Sequence, residues 1–100
     1  MKPVLFSPKA VFDLREIGDW IAKDNPRRAL SFVAELREHA SKIGHAPLSF
    51  PSREDLSPEL RMAVHRPYLI FFRAGVDAVR VERVLHGARD LRELFSGGAS

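Results

Sequence analysis

Residues 61–90, RMAVHRPYLIFFRAGVDAVRVERVLHGARD, decide how the rest of the chain is read. Tyr68 to Phe72 is aromatic or branched throughout, and Ala78 to Leu85 alternates around Val79 and Val81, as strands packed on one face do. Gly75 separates the two runs. A reversal at Ala74 to Asp77 makes them an antiparallel pair, and a second reversal at His65, Arg66 and Pro67 lets Met62 to Val64 pair on the other side. Three strands in succession are therefore expected.

Charge adds to this pattern. Between Leu60 and Val76 the chain carries Arg61, Arg66 and Arg73, with His65 among them and no acidic residue. No lysine occurs after position 50. The planar fork of arginine suits phosphate, carboxylate and stacked partners better than an ammonium group does, which suggests a recognition surface. The competing reading is a solvated sheet face whose arginines pair with Glu59, Asp77 and Glu82.

PYLIFFR, a short turn and VRVERVLHGARDL together resemble the C-terminal half of the RelE/ParE family of bacterial toxins, and within it the ParE branch. HGARD, placed after a strand and before a short final helix, is the most specific piece. The N-terminal half fits too, so the resemblance spans nearly the whole chain.

Composition sets the outer bounds. One hundred residues suit a single domain, expected over 1–95, that buries roughly two thirds of its unfolded surface. Hydrophobic residues make up 45% and charged ones 29%, a balance that excludes a disordered tail or a membrane span. No apolar run reaches transmembrane length and Met1-Lys2-Pro3 leads into a strand, so a cytoplasmic location is expected. With no cysteine there is no disulfide framework or thiolate nucleophile. The net charge of +3 permits an anionic partner without requiring one.

Along the chain, Lys2 to Phe6 is a short strand. Ser7-Pro8 and Asn25-Pro26 are helix-start signals, each a capping side chain before a proline whose missing N–H is harmless at the first helical position. They predict helices over Pro8–Lys23 and Pro26–Ile43. Val11, Leu14, Ile17, Gly18 and Ile21 form the apolar stripe of the first, with Asp13, Glu16, Asp19 and Lys23 facing away. Ala29, Phe32, Val33, Leu36, Ala40 and Ile43 form that of the second. The short link folds them into an antiparallel hairpin, and Gly44 closes the second helix. Phe12, Trp20 and Leu30 lie off these stripes and are candidate contacts for another chain, Trp20 being equally able to cover the hairpin's own edge. Residues 46–59 read as an irregular connection with one short helical turn. A final helix is expected over Ala88–Phe95, with Asp90 in its first turn, and a loose tail over 96–100.

The order is strand, helix, helix, three strands, short helix. This is an α+β domain, β-α-α-β-β-β, whose hairpin covers one face of a small, mostly antiparallel sheet and leaves the other face open. No Gly-rich phosphate loop, HExxH or GxSxG is present. His39, His45, His65 and His86 have no metal-ligand spacing, and neither metal nor cofactor is expected. His86 can act as a proton carrier at working pH, or it can order the turn after its strand by hydrogen bonds.

The resemblance implies more. RelE-like members cut messenger RNA on the ribosome with basic side chains of the sheet; under that alternative Arg61, His86 and Arg89 form the catalytic set. Asp90-Leu91-Arg92 stands where those proteins end in an aromatic, and SREDLSPEL replaces their lysine-rich stretch. ParE-like members poison DNA gyrase by binding, which implies a toxin that is not an enzyme and that inhibits growth until a cognate antitoxin neutralises it. The implied partner is a ParD-like antitoxin of ribbon-helix-helix type, in a hetero-oligomer that meets DNA only through the antitoxin. Arg61, Arg66, Tyr68, Arg73, His86 and Arg89 are the expected target or antitoxin surface, and Phe12, Trp20 and Leu30 the antitoxin contacts. A non-toxic antitoxin-binding module is the remaining alternative.

Overall fold

The structure, a computed structural model, describes residues 1–96. Its elements are β1 (Val4–Phe6), α1 (Pro8–Ala22), α2 (Pro26–Lys42), β2 (Arg61–His65), β3 (Tyr68–Ala74), β4 (Val79–His86) and α3 (Leu91–Ser96). The expected α+β order is present. The expectation for the tail lies, at 97–100, outside the described residues.

Both long helices begin at the capping signals. Asn25 accepts the Arg28 N–H at 3.0 Å, as an N-cap side chain does. Ser7 accepts the Ala10 N–H at 3.0 Å and donates to the Glu82 carbonyl at 2.8 Å, so the buried hydroxyl caps α1 and fastens it to β4 at once.

The sheet runs β1-β4-β3-β2, with β1 parallel to β4 and the other pairs antiparallel. Phe71 pairs with Arg83 and Phe72 with Val81, which leaves Glu82 as the extra residue of a bulge. The bulge resets the alternation. Val79 and Val81 face the helices before it and Val84 does so after it, while Leu85 turns to the opposite face.

That opposite face is covered, contrary to the open face expected from the sequence. Leu60, Phe71 and Leu85 are buried there beneath Leu56, Met62, Leu69, Leu91, Leu94 and Phe95. The Phe95 ring packs edge-on against Phe71 at 5.0 Å between centroids. The larger core lies between hairpin and sheet, around Leu14, Ile17, Phe32, Leu36, Ile70 and Phe72. Two thin cores on one four-stranded sheet bury the alternate residues of β3 on both sides, and so its sequence reads as a continuous apolar run.

Two further expectations are corrected. Val11 is exposed and Asp13 is buried, because the buried stripe of α1 is Ala10, Asp13, Leu14 and Ile17. The final helix starts at Leu91, not Ala88, and Asp90 is its cap, accepting the Glu93 N–H at 3.2 Å. Among the described residues no helix is long and apolar enough to cross a membrane.

Candidate interaction surface

α1 leaves the sheet edge at Ser7 and runs beside the second half of β4. Between them lies a groove of about 270 Å³ whose walls include Phe12 and Trp20 from α1, Tyr68 from β3, and His86 and Arg89 from the end of β4 and the turn after it. Part of each of two groups of residues selected separately in the sequence therefore lies on one surface. Phe12 is 54% and Trp20 67% exposed, which leaves both rings available to a partner. Lys23 stands over the Trp20 ring at 5.0 Å, a cation–π contact that orients the ring without hiding it.

The floor of this groove is polar and fixed. Arg83 donates to both oxygens of Asp13, at 2.8 and 2.9 Å, and Asp13 also accepts the Val84 N–H at 2.9 Å. The carboxylate holds the Arg83 guanidinium above its ordinary pKa, chiefly through that hydrogen bond. Asp13 thus closes an edge position of β4 that β1 has vacated. Nothing in the helical period singled it out.

Tyr68 is almost wholly buried, and burial pushes its phenol above the ordinary value. Its ring meets His86 edge-on at 5.4 Å. The His86 Nδ1 accepts the Ala88 N–H at 3.0 Å, so this nitrogen orders the turn and Nε2 is the ring nitrogen left for other chemistry.

The sheet arginines go elsewhere. Arg61 donates to the Phe50 carbonyl at 2.7 Å and to Leu48 at 3.4 Å. Arg73 donates to the Pro58 carbonyl at 3.1 Å, bonds the Ser57 hydroxyl and pairs with Glu82 at 3.2 Å. Both fasten the 46–60 connection to the sheet, and of the three pairings weighed in the sequence the one with Glu82 forms. Arg66 is exposed in the β2–β3 turn.

Register fixes how far apart these groups are. Arg61 pairs with Phe72, whereas His86 pairs with Tyr68, four residues away along β3. At about 3.3 Å per residue that is roughly 13 Å along the strand, before the width of two strand spacings is added. Arg61 therefore does not share a substrate-sized centre with His86 and Arg89. Arg73, Arg80 and Lys9 line a separate depression of about 540 Å³ with Glu82, Leu94 and Phe95. Among the described residues no group of three or more histidine or carboxylate side chains could hold a metal ion.

Leu30 belongs to a third surface. On the outer side of the hairpin Val11, Leu14, Gly18, Ala29, Leu30 and Val33 line an apolar groove of about 540 Å³ edged by Arg15, Asp19 and Arg37. The helices approach closely at Gly18, where an added Cβ would stand 3.4 Å from Val33.

The model of the ParE toxin of type II toxin-antitoxin systems, parDE, matches residues 4–91. This chain belongs to that family. The ParE toxin fold carries both the groove and the hairpin, since the match runs from β1 to the start of α3. Among solved structures, the chromosomal ParDE toxin-antitoxin system from P. aeruginosa is similar at 22% identity, covering 86% of this chain and 96% of that one with a TM-score of 0.74. The RelBE2 toxin-antitoxin complex from Mycobacterium tuberculosis is similar at 26% identity, covering 88% and 93% with a TM-score of 0.62. No curated protein matches. The chain is thus a ParE/RelE-type toxin of a type II toxin-antitoxin system.

Proposed function

We propose that this toxin acts by binding, as a ParE-like inhibitor of DNA gyrase, and that a cognate ParD-like antitoxin holds it silent. The observation that carries the reading is the distance between Arg61 and the His86–Arg89 turn. A metal-free ribonuclease needs cations and proton carriers converging on one phosphate. Here Arg61 staples a loop and His86 and Arg89 line a groove. The depression that gathers Lys9, Arg73 and Arg80 has, among the described residues, no histidine in its lining and a single carboxylate, Glu82, already paired with both arginines. A binding poison has no such requirement.

The antitoxin's part follows from the exposed aromatics. An antitoxin segment that folds on binding would lay apolar side chains on Phe12 and Trp20 and on the hairpin groove beside Leu30, and carry acidic groups toward His86, Arg89 and Arg66. The complex is a hetero-oligomer in the cytoplasm, contacting DNA only through the antitoxin, and it uses no metal or cofactor.

Similarity to a RelBE complex keeps one other reading in view, a ribosome-dependent messenger ribonuclease. Purified toxin should inhibit gyrase supercoiling and accumulate cleaved DNA, and the antitoxin should reverse both effects. The Phe12→Ala, Trp20→Ala double variant should bind antitoxin at least about tenfold more weakly, a loss of ~1.4 kcal/mol or more. Intact gyrase activity with message cleavage on ribosomes would replace this reading with the ribonuclease one. Normal growth of cells expressing the toxin alone would point to a non-toxic antitoxin ligand.

A further inference from the structure

His39 on α2 and His65 at the end of β2 are distant in sequence, yet their Nδ1 atoms lie 2.8 Å apart. The ring centroids are 5.0 Å apart and the planes are tilted by 49°. Because the centroids are much further apart than the nitrogens, the rings extend away from the contact on opposite sides. Each Nδ1 then aims at the other ring. That is the geometry of an N–H···N hydrogen bond; two imidazoles holding one metal ion would aim at a common third point. Such a bond requires one nitrogen to carry a proton and the other to lack it.

We propose that His39 and His65 form a proton-operated clasp that fastens the second helix of the hairpin to the edge strand β2. In the neutral pair one Nδ1–H donates to the other Nδ1. A first added proton leaves the contact intact, because an imidazolium can donate to its neutral neighbour, and the bond is then charge-assisted. A second proton puts N–H groups on both sides. The bond is lost and two cations face each other, so the clasp opens.

The surroundings favour the closed state at neutral pH. Phe32 packs edge-on against His65 at 5.5 Å and, tilted, against Tyr68 at 5.7 Å, which shields one side of the pair from water. On α2, Lys42 disfavours a proton on His39, and Glu38 lies 3.9 Å from that lysine. Glu35 is held below the ordinary carboxylate range, chiefly by its hydrogen bond with Arg28 at 2.6 Å and least by the charge of His65. Arg66 follows His65 in the exposed turn. Burial first, then His65 and Lys42, push His39 below its ordinary value of 6.5. A base whose folded value is depressed binds fewer protons folded than unfolded. Its contribution to stability is therefore complete above pH 6.5 and is lost as pH falls from there through the folded value.

Opening would release the C-terminal half of α2 from β2 and loosen the turn carrying Arg66. The idea stands apart from the identity of the toxin's target. Ring nitrogen and proton shifts of all four histidines, followed on the full chain from pH 8 to 4.5, test it. The pair should titrate in two coupled steps, each visible at both rings, where independent histidines would each show one. Amide exchange of residues 36–42 and of β2 should speed up below the lower step. His39→Gln and His65→Gln should each abolish the acid-triggered change. Independent single-step titration of His39 and His65, or acceleration that persists in both variants, would overturn the clasp. So would one-to-one Zn²⁺ binding at neutral pH that both variants lose, because it would make the pair a metal chelate.

Discussion

Asp13 illustrates how one residue can reverse a sequence reading. It lies three residues after Ala10 and four before Ile17, on the buried stripe, but far to one side of the stripe drawn through Val11, Leu14 and Ile21, so its projected angle and its charge both argued for solvent. The charge is tolerated because Arg83 takes both oxygens and the Val84 N–H takes a further lone pair. Removing it strands a mostly buried guanidinium and a strand-edge N–H together. Asp13→Ala should therefore lower stability by about 3 kcal/mol in urea unfolding. Asp13→Asn, which can still accept from Val84, should lose less. Equal losses in the two variants would show that the backbone bond contributes nothing. The clasp histidines were hidden for a related reason, since no local spacing connects positions 39 and 65.

Elements were legible where a side chain both starts them and fills them. Ser7-Pro8 and Asn25-Pro26 mark both helix starts, and the apolar runs at 68–72 and 78–85 mark β3 and β4. The bulge at Glu82 was not legible, because its cause is the pairing with β3 and not anything in the β4 run itself. Gly44 was read as a helix terminator, but α2 ends at Lys42 and Gly44 sits inside the 3₁₀ turn Ile43–His45 without a left-handed backbone; its role depends instead on the distant N-terminal segment. Lys2 N–H donates to the Gly44 carbonyl at 3.0 Å, and a Cβ at position 44 would stand 2.1 Å from the Lys2 carbonyl oxygen. Gly44→Ala must push β1 away from that contact. A stability loss of about 1–3 kcal/mol is expected, together with faster amide exchange in β1. An unchanged unfolding midpoint would mean that the N-terminal segment moves aside freely.

For the molecule as a whole, the misread feature was the far face of the sheet. Phe71 and Leu85 alternate with residues that face the hairpin, so the strands alone could not say whether that side meets solvent or a lid; the lid comes from Leu56, Leu91, Leu94 and Phe95, in segments with weak patterns of their own. This division assigns different work to the two sides. The hairpin side presents exposed aromatics that contribute little to folding, and the α3 side has aromatics that fold the chain and present little to a partner. Leu94→Ala with Phe95→Ala should cost about 1–3 kcal/mol of stability, less than full burial would give because both side chains are partly exposed. Under the proposed arrangement it should leave antitoxin affinity within about twofold, well under 1 kcal/mol. Phe12→Ala with Trp20→Ala should do the reverse, keeping the unfolding midpoint while weakening the complex. Measuring both quantities for both variants separates a surface that binds from one that holds the fold. A drop in affinity on the α3 side without a matching loss of stability would move the antitoxin's path to the depression formed by Arg73, Arg80 and Phe95.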